Sequence, residues 1–440
     1  MNTILKGLNK ETIKKISSLK NEPQWMLEFR LSAYQTFLKL KNPQWGPNLN
    51  DIDFNDFIYY SNHNLQEQKK WEDVPQNIRT QFEAIGVSEL ESKILSGAND
   101  QFDSQVVYHD LIEEFAKKGV LFCSMDEAIT KYETIVKKYF GKLIPDSDNK
   151  YAALNSAVWS GGSFLYVPKG VVLEKPLQAY FKIGSKSLGQ FERTLIVIED
   201  NSEAHYMEGC TAPIYSEKNL HAAVVEIFIG NNSHFRYSTI QNWSNNVINL
   251  VTKRALVGKH SLMEWIDGNI GSGINMKYPT CILKGDYAKG RCVSIATSGK
   301  NMIQDTGAKM IHLGKHTKSE IISKTIVNEG GEANYRGLVK ITKSATDAYA
   351  QVTCDSLILD NFSRSDTIPT EIIENNTSFI KHEAKVTDID KEKKFFLNSR
   401  GVDDKQARLL STLGFIKPFS DELPLEYSVE FNRLLKVLIK

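Results

Sequence analysis

Four glycines, Gly230, Gly258, Gly285 and Gly314, each end a short β-branched run, and they recur at intervals of 28, 27 and 29 residues. The runs are AAVVEIFIG (222–230), RALVG (254–258), CILKG (281–285) and KMIHLG (309–314), and RTLIVIED (193–200) has the same texture. A period that survives while the sequence around it drifts belongs to units that stack on their immediate neighbours. Turns at Glu329-Gly330 and Lys343-Ser344 fall near half the interval, and helical periodicity is missing from this stretch. Strand-turn units of this size predict a mainly β chain whose core, residues 151–397, is a β-helix solenoid rather than a leucine-rich or helical repeat. An antiparallel sandwich is the alternative, because it too is built of short strands bounded by turns.

The flanks differ. Residues 1–150 read as helix-rich: Pro23 suits a first helical turn, and Met26, Arg30, Ala33 and Phe37 follow at helical spacing. After Cys123, Ser124 and Glu127 form a capping box. Ala128, Tyr132, Ile135, Val136 and Tyr139 then make one apolar stripe, and Gly141 is placed to end it. A single helix is predicted there. Residues 398–440 return to helical spacing, with Asp403–Thr412 and Pro424–Lys440 as candidates that would either cap the solenoid or dock a partner.

Composition narrows the function. With 54 basic and 53 acidic residues the net charge is +1, which supplies no basic stripe for a phosphate backbone, so no nucleic-acid role is expected. No membrane association is expected either, because no segment approaches the ~18 uncharged apolar residues of a span. The opening MNTILKGLNKETIKKISSL holds no signal-peptide core, and a reducing compartment is expected: the cytoplasm of a bacterium or a plastid stroma. There the five scattered cysteines, Cys123, Cys210, Cys281, Cys292 and Cys354, would be free thiols rather than a disulfide framework. GNIGSG (268–273) lacks a following helix and SGGS (160–163) lacks the Gly-Lys-Ser/Thr of a phosphate loop, so both read as turns. A Gly-x-Ser-x-Gly elbow and an HExxH helix are likewise missing.

Soft and polar groups collect toward the far end of the repeats. Cys354 lies in QVTCDSLIL, and His382-Glu383 follows 28 residues later in FIKHEAKV. That interval matches one repeat, which would stack the two on neighbouring coils ~5 Å apart. Thiolate, imidazole and carboxylate all ligate iron, and a mixed set would suit a cluster that is to be handed on. The plainer alternative is a small core cysteine and a hydrogen-bonding histidine. Cys210, in HYMEGCTAP, sits where a strand gives way to a turn and could be an exposed nucleophilic thiol. Lys253, in VTKRA, would lower a thiol pKa if it were close in space. Cys123, Cys281 and Cys292 read as structural.

These residues belong to a longer ordered pattern. It includes EPQWMLEFRLSAY (22–34), NSAVWSGGSFLYVPKGV (155–171), EGCTAP (208–213), TIQNWSNNVINLVTKRA (239–255), MEWIDGNIGS (263–272), HEAKV (382–386) and FSDELPLEYSVEFNRL (419–434). Over nearly its full length the chain resembles the SufB/SufD family of iron–sulfur cluster assembly scaffolds. The resemblance implies a right-handed parallel β-helix with helical flanks, acting as a scaffold and not as an enzyme. It implies a SufC ATPase, docked through the C-terminal helices, and SufD or a second SufB copy as the other subunit. Sulfur would arrive as persulfide from a SufE/SufU-type carrier charged by a cysteine desulfurase. Cys210 matches the sulfur acceptor, and Gln241, Trp243 and Lys253 match positions that pass sulfur through the β-helix. Cys354, His382 and Glu383 match the site of the transient iron–sulfur cluster at the subunit interface. Reduced flavin is the further cofactor the family permits.

Two departures limit the transfer. Where the family commonly has Arg and Asn, this chain has Lys182 and Gly184, and a lysine is a point charge where arginine is a planar fork. Lys381 replaces the acid that often precedes His-Glu. None of the three is carried over. Two rival classes predict other features. A β-helix enzyme acting on polysaccharide would be exported and would line a groove with paired Asp or Arg. A purely structural subunit would accept no sulfur, against which the cysteine of EGC speaks.

Overall fold

The computed structural model describes residues 3–62, 97–102, 105–111, 113–183, 187–211, 218–388, 391–423, 428, 431–433 and 435. Glu203–Thr211, His234–Trp243, Leu262–Gly271, Lys289–Ser298, Lys318–Val327, Tyr349–Ile358 and Phe379–Thr387 pair in that order, each parallel to the next. A second sheet runs in the same way from Arg193–Ile198 through Val224–Ile229, Val247–Val257, Thr280–Leu283, Lys309–His312 and Glu332–Ile341 to Arg364–Ile373. The chain alternates between the two sheets, and parallel pairing throughout makes this a β-solenoid and excludes the antiparallel sandwich.

The glycine period has a steric cause. A Cβ on Gly258 would lie 2.4 Å from the carbonyl oxygen of Gly230, and one on Gly314 would lie 2.3 Å from that of Gly285. Successive turns stack backbone on backbone at this corner, so no side chain fits. Another corner repeats a left-handed residue in each coil: Asn201, Asn232, His260, Tyr287, His316 and Asp347 all have φ between 52° and 60°. The rings of His260, Tyr287 and His316 stack there at 4.8 and 4.7 Å. Within the coil, Tyr206, Tyr237 and Trp265 form an aromatic stack, while Asn249 donates to Asn275 and Asn275 to Gln304 along an amide ladder, at 2.8 Å per step.

In the N-terminal region, Gln24–Lys39 buries Met26, Arg30, Ala33 and Phe37, as their spacing predicts, with Pro23 as the N-cap instead of a first-turn residue. Arg30 ion-pairs with Glu22 and donates to the Trp159 carbonyl at 2.9 Å, tying this helix to Lys150–Val158. The single helix expected after Cys123 is two, Met125–Lys131 and Glu133–Tyr139, although Ser124 caps the first by accepting from Glu127 N–H. The break falls at Tyr132 (φ −122°, ψ 34°), whose ring lies on Phe164 of the solenoid. Tertiary packing overrides the periodicity there.

This region also holds strands that the helical reading did not foresee. Gly97–Phe102 pairs with Leu177–Lys182, and Leu121–Ser124 with Ser163–Val167, so strands from the N-terminal region extend both sheets. At the other end, Asp404–Ser420 outruns the predicted Asp403–Thr412. Its Ile416 and Phe419 cover Ile240, Ile266, Ile270, Val293 and Ile295 on the outside of the first sheet. Glu422 just beyond it ion-pairs with Arg236 and Arg291 at 3.0 and 2.6 Å. Most of the second candidate, Pro424–Lys440, lies outside the described residues. Among the described residues no helix is long and apolar enough to cross a membrane.

Candidate functional site

Alternation along Glu203–Thr211 turns Tyr206, Glu208 and Cys210 into the solenoid. Cys210 is 2% exposed, not the exposed thiol its neighbourhood suggested, because Leu177–Lys182 and His234–Trp243 flank its strand on both sides. Burial pushes its thiol pKa well above the ordinary value. Glu208 and Glu192 push the same way, while Lys253 and Lys277 pull against them. Lys253 Nζ stands 3.5 Å from Glu208 Oε1 and 4.4 Å from the centre of the Tyr237 ring, and it makes no hydrogen bond although its side chain is 1% exposed.

Gln241 is the register partner of Cys210 in the next coil. Its Oε1 accepts from Asn249 at 2.8 Å and from Lys277 at 3.0 Å, and its Nε2 has no partner. Trp243, further along the same strand, is buried against His221 with ring centres 4.8 Å apart. Cys210, Gln241, Lys253 and Trp243 therefore share one interior region. Lys182 pairs with Thr211 and so lies on the opposite side of the sheet from Cys210, and Gly184 lies outside the described residues.

The ladder continues from this region to the far end. Glu208, Thr239, Asp267, Ser294, Ser323 and Cys354 are successive register partners, and all six are buried. Beside them run Cys210, Gln241, Asn269, Ala296, Thr325 and Ser356, also buried. Ser294 Oγ donates to Ser323 Oγ at 3.3 Å within the first column. A band two residues wide, polar apart from Ala296, thus links the two thiols inside the coil.

Cys354 is buried, and its thiol pKa is pushed up to about 12 by that burial, with Tyr335 opposing and Asp355 and Glu371 adding to the rise. The expected stacking on His382 and Glu383 is displaced. Cys354 pairs with Ala384, while Val352 and Thr353 pair with His382 and Glu383, a local step of 30 residues. The turn at Asn375 lengthens the coil: its Oδ1 accepts from Thr377 and Ser378 N–H, and its Nδ2 donates to Thr342 and Ala345 carbonyls.

His382 still faces the interior that Cys354 faces, but Glu383 is turned to the outer face and ion-pairs with Lys381 at 2.7 Å. The carboxylate that meets His382 is Glu371, with Nδ1 to Oε1 at 2.8 Å. Among the described residues no three His, Cys, Asp or Glu side chains converge closely enough to hold a metal ion. The mouth is also unfinished as a surface. Arg364–Ile373 and Phe379–Thr387 end their sheets, and Ile368, Ile372, Ile373, Phe379 and Val386 are exposed on them.

Two family models match the chain. One, described as the SufBD protein N-terminal region, covers residues 8–179; the other, described as SUF system FeS cluster assembly, SufBD core domain, covers 181–415. The chain belongs to the SufBD family. It is 49% identical over 431 residues to an iron-sulfur cluster assembly SufBD family protein of Staphylococcus aureus (strain USA300), covering 98% of this chain and 93% of that one. It is 50% identical, with the same coverage, to the iron-sulfur cluster assembly protein SufB of Bacillus subtilis (strain 168). Iron–sulfur cluster assembly is therefore its field of action, and the mainly β fold expected of SufBD proteins is the one it has.

Several residues of this SufBD interior escaped the sequence reading. Lys277 forms a buried ion pair with Asp267 at 2.9 Å, and burial pushes its pKa down to about 8 against the pull of that carboxylate. A charged residue at an inward position of an apolar alternation was the available signal for Lys277, Asp267 and Glu208. Parity was the signal for Glu383, since adjacent residues of one strand cannot both face inward.

Proposed function

We propose that this chain is a scaffold that accepts sulfur at Cys210 as a persulfide, releases it by reduction as sulfide that moves along the buried polar band, and holds a nascent iron–sulfur cluster at the open end through Cys354 and His382. The carrying observation is the band itself: six buried register partners lead from Glu208, beside the acceptor, to Cys354. The Cys210 thiolate attacks the outer sulfur of a carrier persulfide, that S–S bond breaks, and the carrier leaves as a thiolate. Lys253 and Lys277 stabilise the anionic persulfide left on Cys210, in an interior where charge is felt over a longer range than in water. Release as sulfide takes two electrons, for which reduced flavin in the assembled complex is the proposed source.

Cys354 and His382 supply a thiolate and an imidazole, and the Glu371 carboxylate is taken up by His382, so a second subunit completes the ligand set. The free strand edges and exposed apolar residues of the last coil support docking of SufD or a second SufB copy there. Glu383 would join only by leaving Lys381. The helices after residue 390, where Phe395 and Phe396 are exposed, are the proposed dock of the SufC ATPase, whose hydrolysis drives release. A SufE/SufU-type carrier with its cysteine desulfurase supplies the sulfur.

Anaerobic reconstitution with iron and sulfide tests the assignment. Cys354→Ala should lose most of the visible cluster absorbance while Cys292→Ala keeps it, and wild-type absorbance in Cys354→Ala would remove Cys354 from the site.

A further inference from the structure

We infer that Glu371 sets His382 for metal: its carboxylate holds the Nδ1 hydrogen, which leaves the Nε2 lone pair free in the mouth near Cys354. The inference rests on the reading that Cys354 and His382 hold the cluster, and it gives the carboxylate role at this histidine to Glu371 in place of Glu383.

Strand parity places both residues. In Arg364–Ile373, Thr367, Glu371 and Ile373 stand over Tyr335, Val339 and Ile341, which are interior core residues. Glu371 therefore faces inward from the second sheet. His382 faces inward from the first, over the core residue Val352. The two side chains meet across the open end at 2.8 Å, one coil beyond Cys354 and Tyr335. Glu383 follows His382 directly, so it lies on the outer face, where Lys381 neutralises it.

A neutral imidazole carries one N–H. With a carboxylate at Nδ1 and nothing at the buried Nε2, the hydrogen belongs on Nδ1. The opposite tautomer would bury a donor with no acceptor and leave the carboxylate without a donor. Histidines that bind metal through one nitrogen usually give their other N–H to such an acceptor, which fixes ring orientation and raises ligand basicity. The hydroxyl of Tyr335, also buried, adds a polar group beside Cys354 in the same interior.

The full-length protein with histidine labelled in nitrogen-15 is compared with Glu371→Ala, Glu383→Ala and Cys354→Ala. Glu371 is partly exposed on a terminal strand, so its truncation leaves no core cavity. Two-bond proton–nitrogen spectra should show hydrogen on Nδ1 of His382 in wild type and on Nε2 in Glu371→Ala. Anaerobic titration with Co2+, standing in for Fe2+, should show a thiolate–cobalt band whose affinity falls about 10- to 100-fold in Glu371→Ala and changes less than about twofold in Glu383→Ala. Hydrogen on Nε2 in wild type overturns the inference. A band that requires Cys354 but keeps wild-type affinity in Glu371→Ala overturns the role of Glu371 alone. A band that survives Cys354→Ala overturns the cluster-site reading beneath it.

Discussion

Cys210 and Cys354 face the same solenoid interior from strands five coils apart, in adjacent columns of one ladder. At ~4.8 Å per coil the separation is ~24 Å, too far for direct exchange. The polar band between them is then the proposed relay, and it is narrowest at Ser294, whose neighbour in the second column is Ala296 and whose hydroxyl meets Ser323 in the next coil. In Ser323→Val, persulfide on Cys210, read as the mass gain of one sulfur atom, should form at the wild-type rate. Cluster built from that persulfide should fall about tenfold, the effect of roughly 1.4 kcal/mol at one step. Cluster built from free sulfide should be unchanged. Equal losses from both sulfur sources would mean that the substitution damages the cluster site and that the band is no relay.

The glycine corner makes a stability prediction. In Gly258→Ala the new methyl would press on the Gly230 carbonyl, a backbone atom that cannot move without its whole turn. The cost should be about 3 kcal/mol, read as a lower urea midpoint at unchanged slope. Gly414, in the helix Asp404–Ser420, has open space around its Cβ position, so Gly414→Ala should stabilise by about 0.5–1 kcal/mol. If Gly258→Ala matched Gly414→Ala, the period would not be steric.

The same corner explains what was legible in advance. A constraint that only glycine satisfies prints itself on the sequence, so the solenoid period could be read from Gly230, Gly258, Gly285 and Gly314 without a structure. The path from Cys210 to Cys354 could not, because register steps vary from 27 to 31 residues and an uncounted turn residue moves every later pairing. That is how an interval of 28 residues set Cys354 against His382 when its partner is Ala384. The Tyr132 break was hidden for another reason: a residue 32 positions away, Phe164, decides it.

Cys281 is a buried thiol outside the band, and burial pushes its pKa to about 12, against ~8.5 for an unfolded cysteine. Below the unfolded value both states hold the proton and the shift has no effect on stability. Above it the unfolded chain ionises first and binds fewer protons, so stability falls as pH rises from about 8.5 toward about 12. Cys281→Ala removes this term and leaves a small cavity whose cost does not depend on pH. Between pH 7.5 and pH 10 the gap between wild type and Cys281→Ala should shift by about 2 kcal/mol in favour of the variant, measured by urea unfolding at each pH. A constant gap would show that the thiol ionises in the folded state as readily as in the unfolded one.

Cys210, the proposed acceptor, makes the sharpest electrostatic prediction, because its neighbours oppose one another. Burial, Glu208 and Glu192 raise the Cys210 pKa, while Lys253 and Lys277 lower it. Only the thiolate attacks a persulfide, so each neighbour should move the sulfur-transfer rate in a sign fixed by its charge. Lys253→Met removes an opposing cation and should slow persulfide formation severalfold. Glu208→Gln keeps the acceptor for Tyr237 but removes the charge, and should speed it. Both substitutions keep side-chain volume, so opposite signs cannot arise from loss of packing. Single-turnover transfer from a charged sulfur carrier, followed by mass spectrometry of the Cys210 peptide, reads both rates. If Glu208→Gln slowed transfer as Lys253→Met does, the buried pair would serve to shape the strand, and the charge around Cys210 would not be what readies it for sulfur.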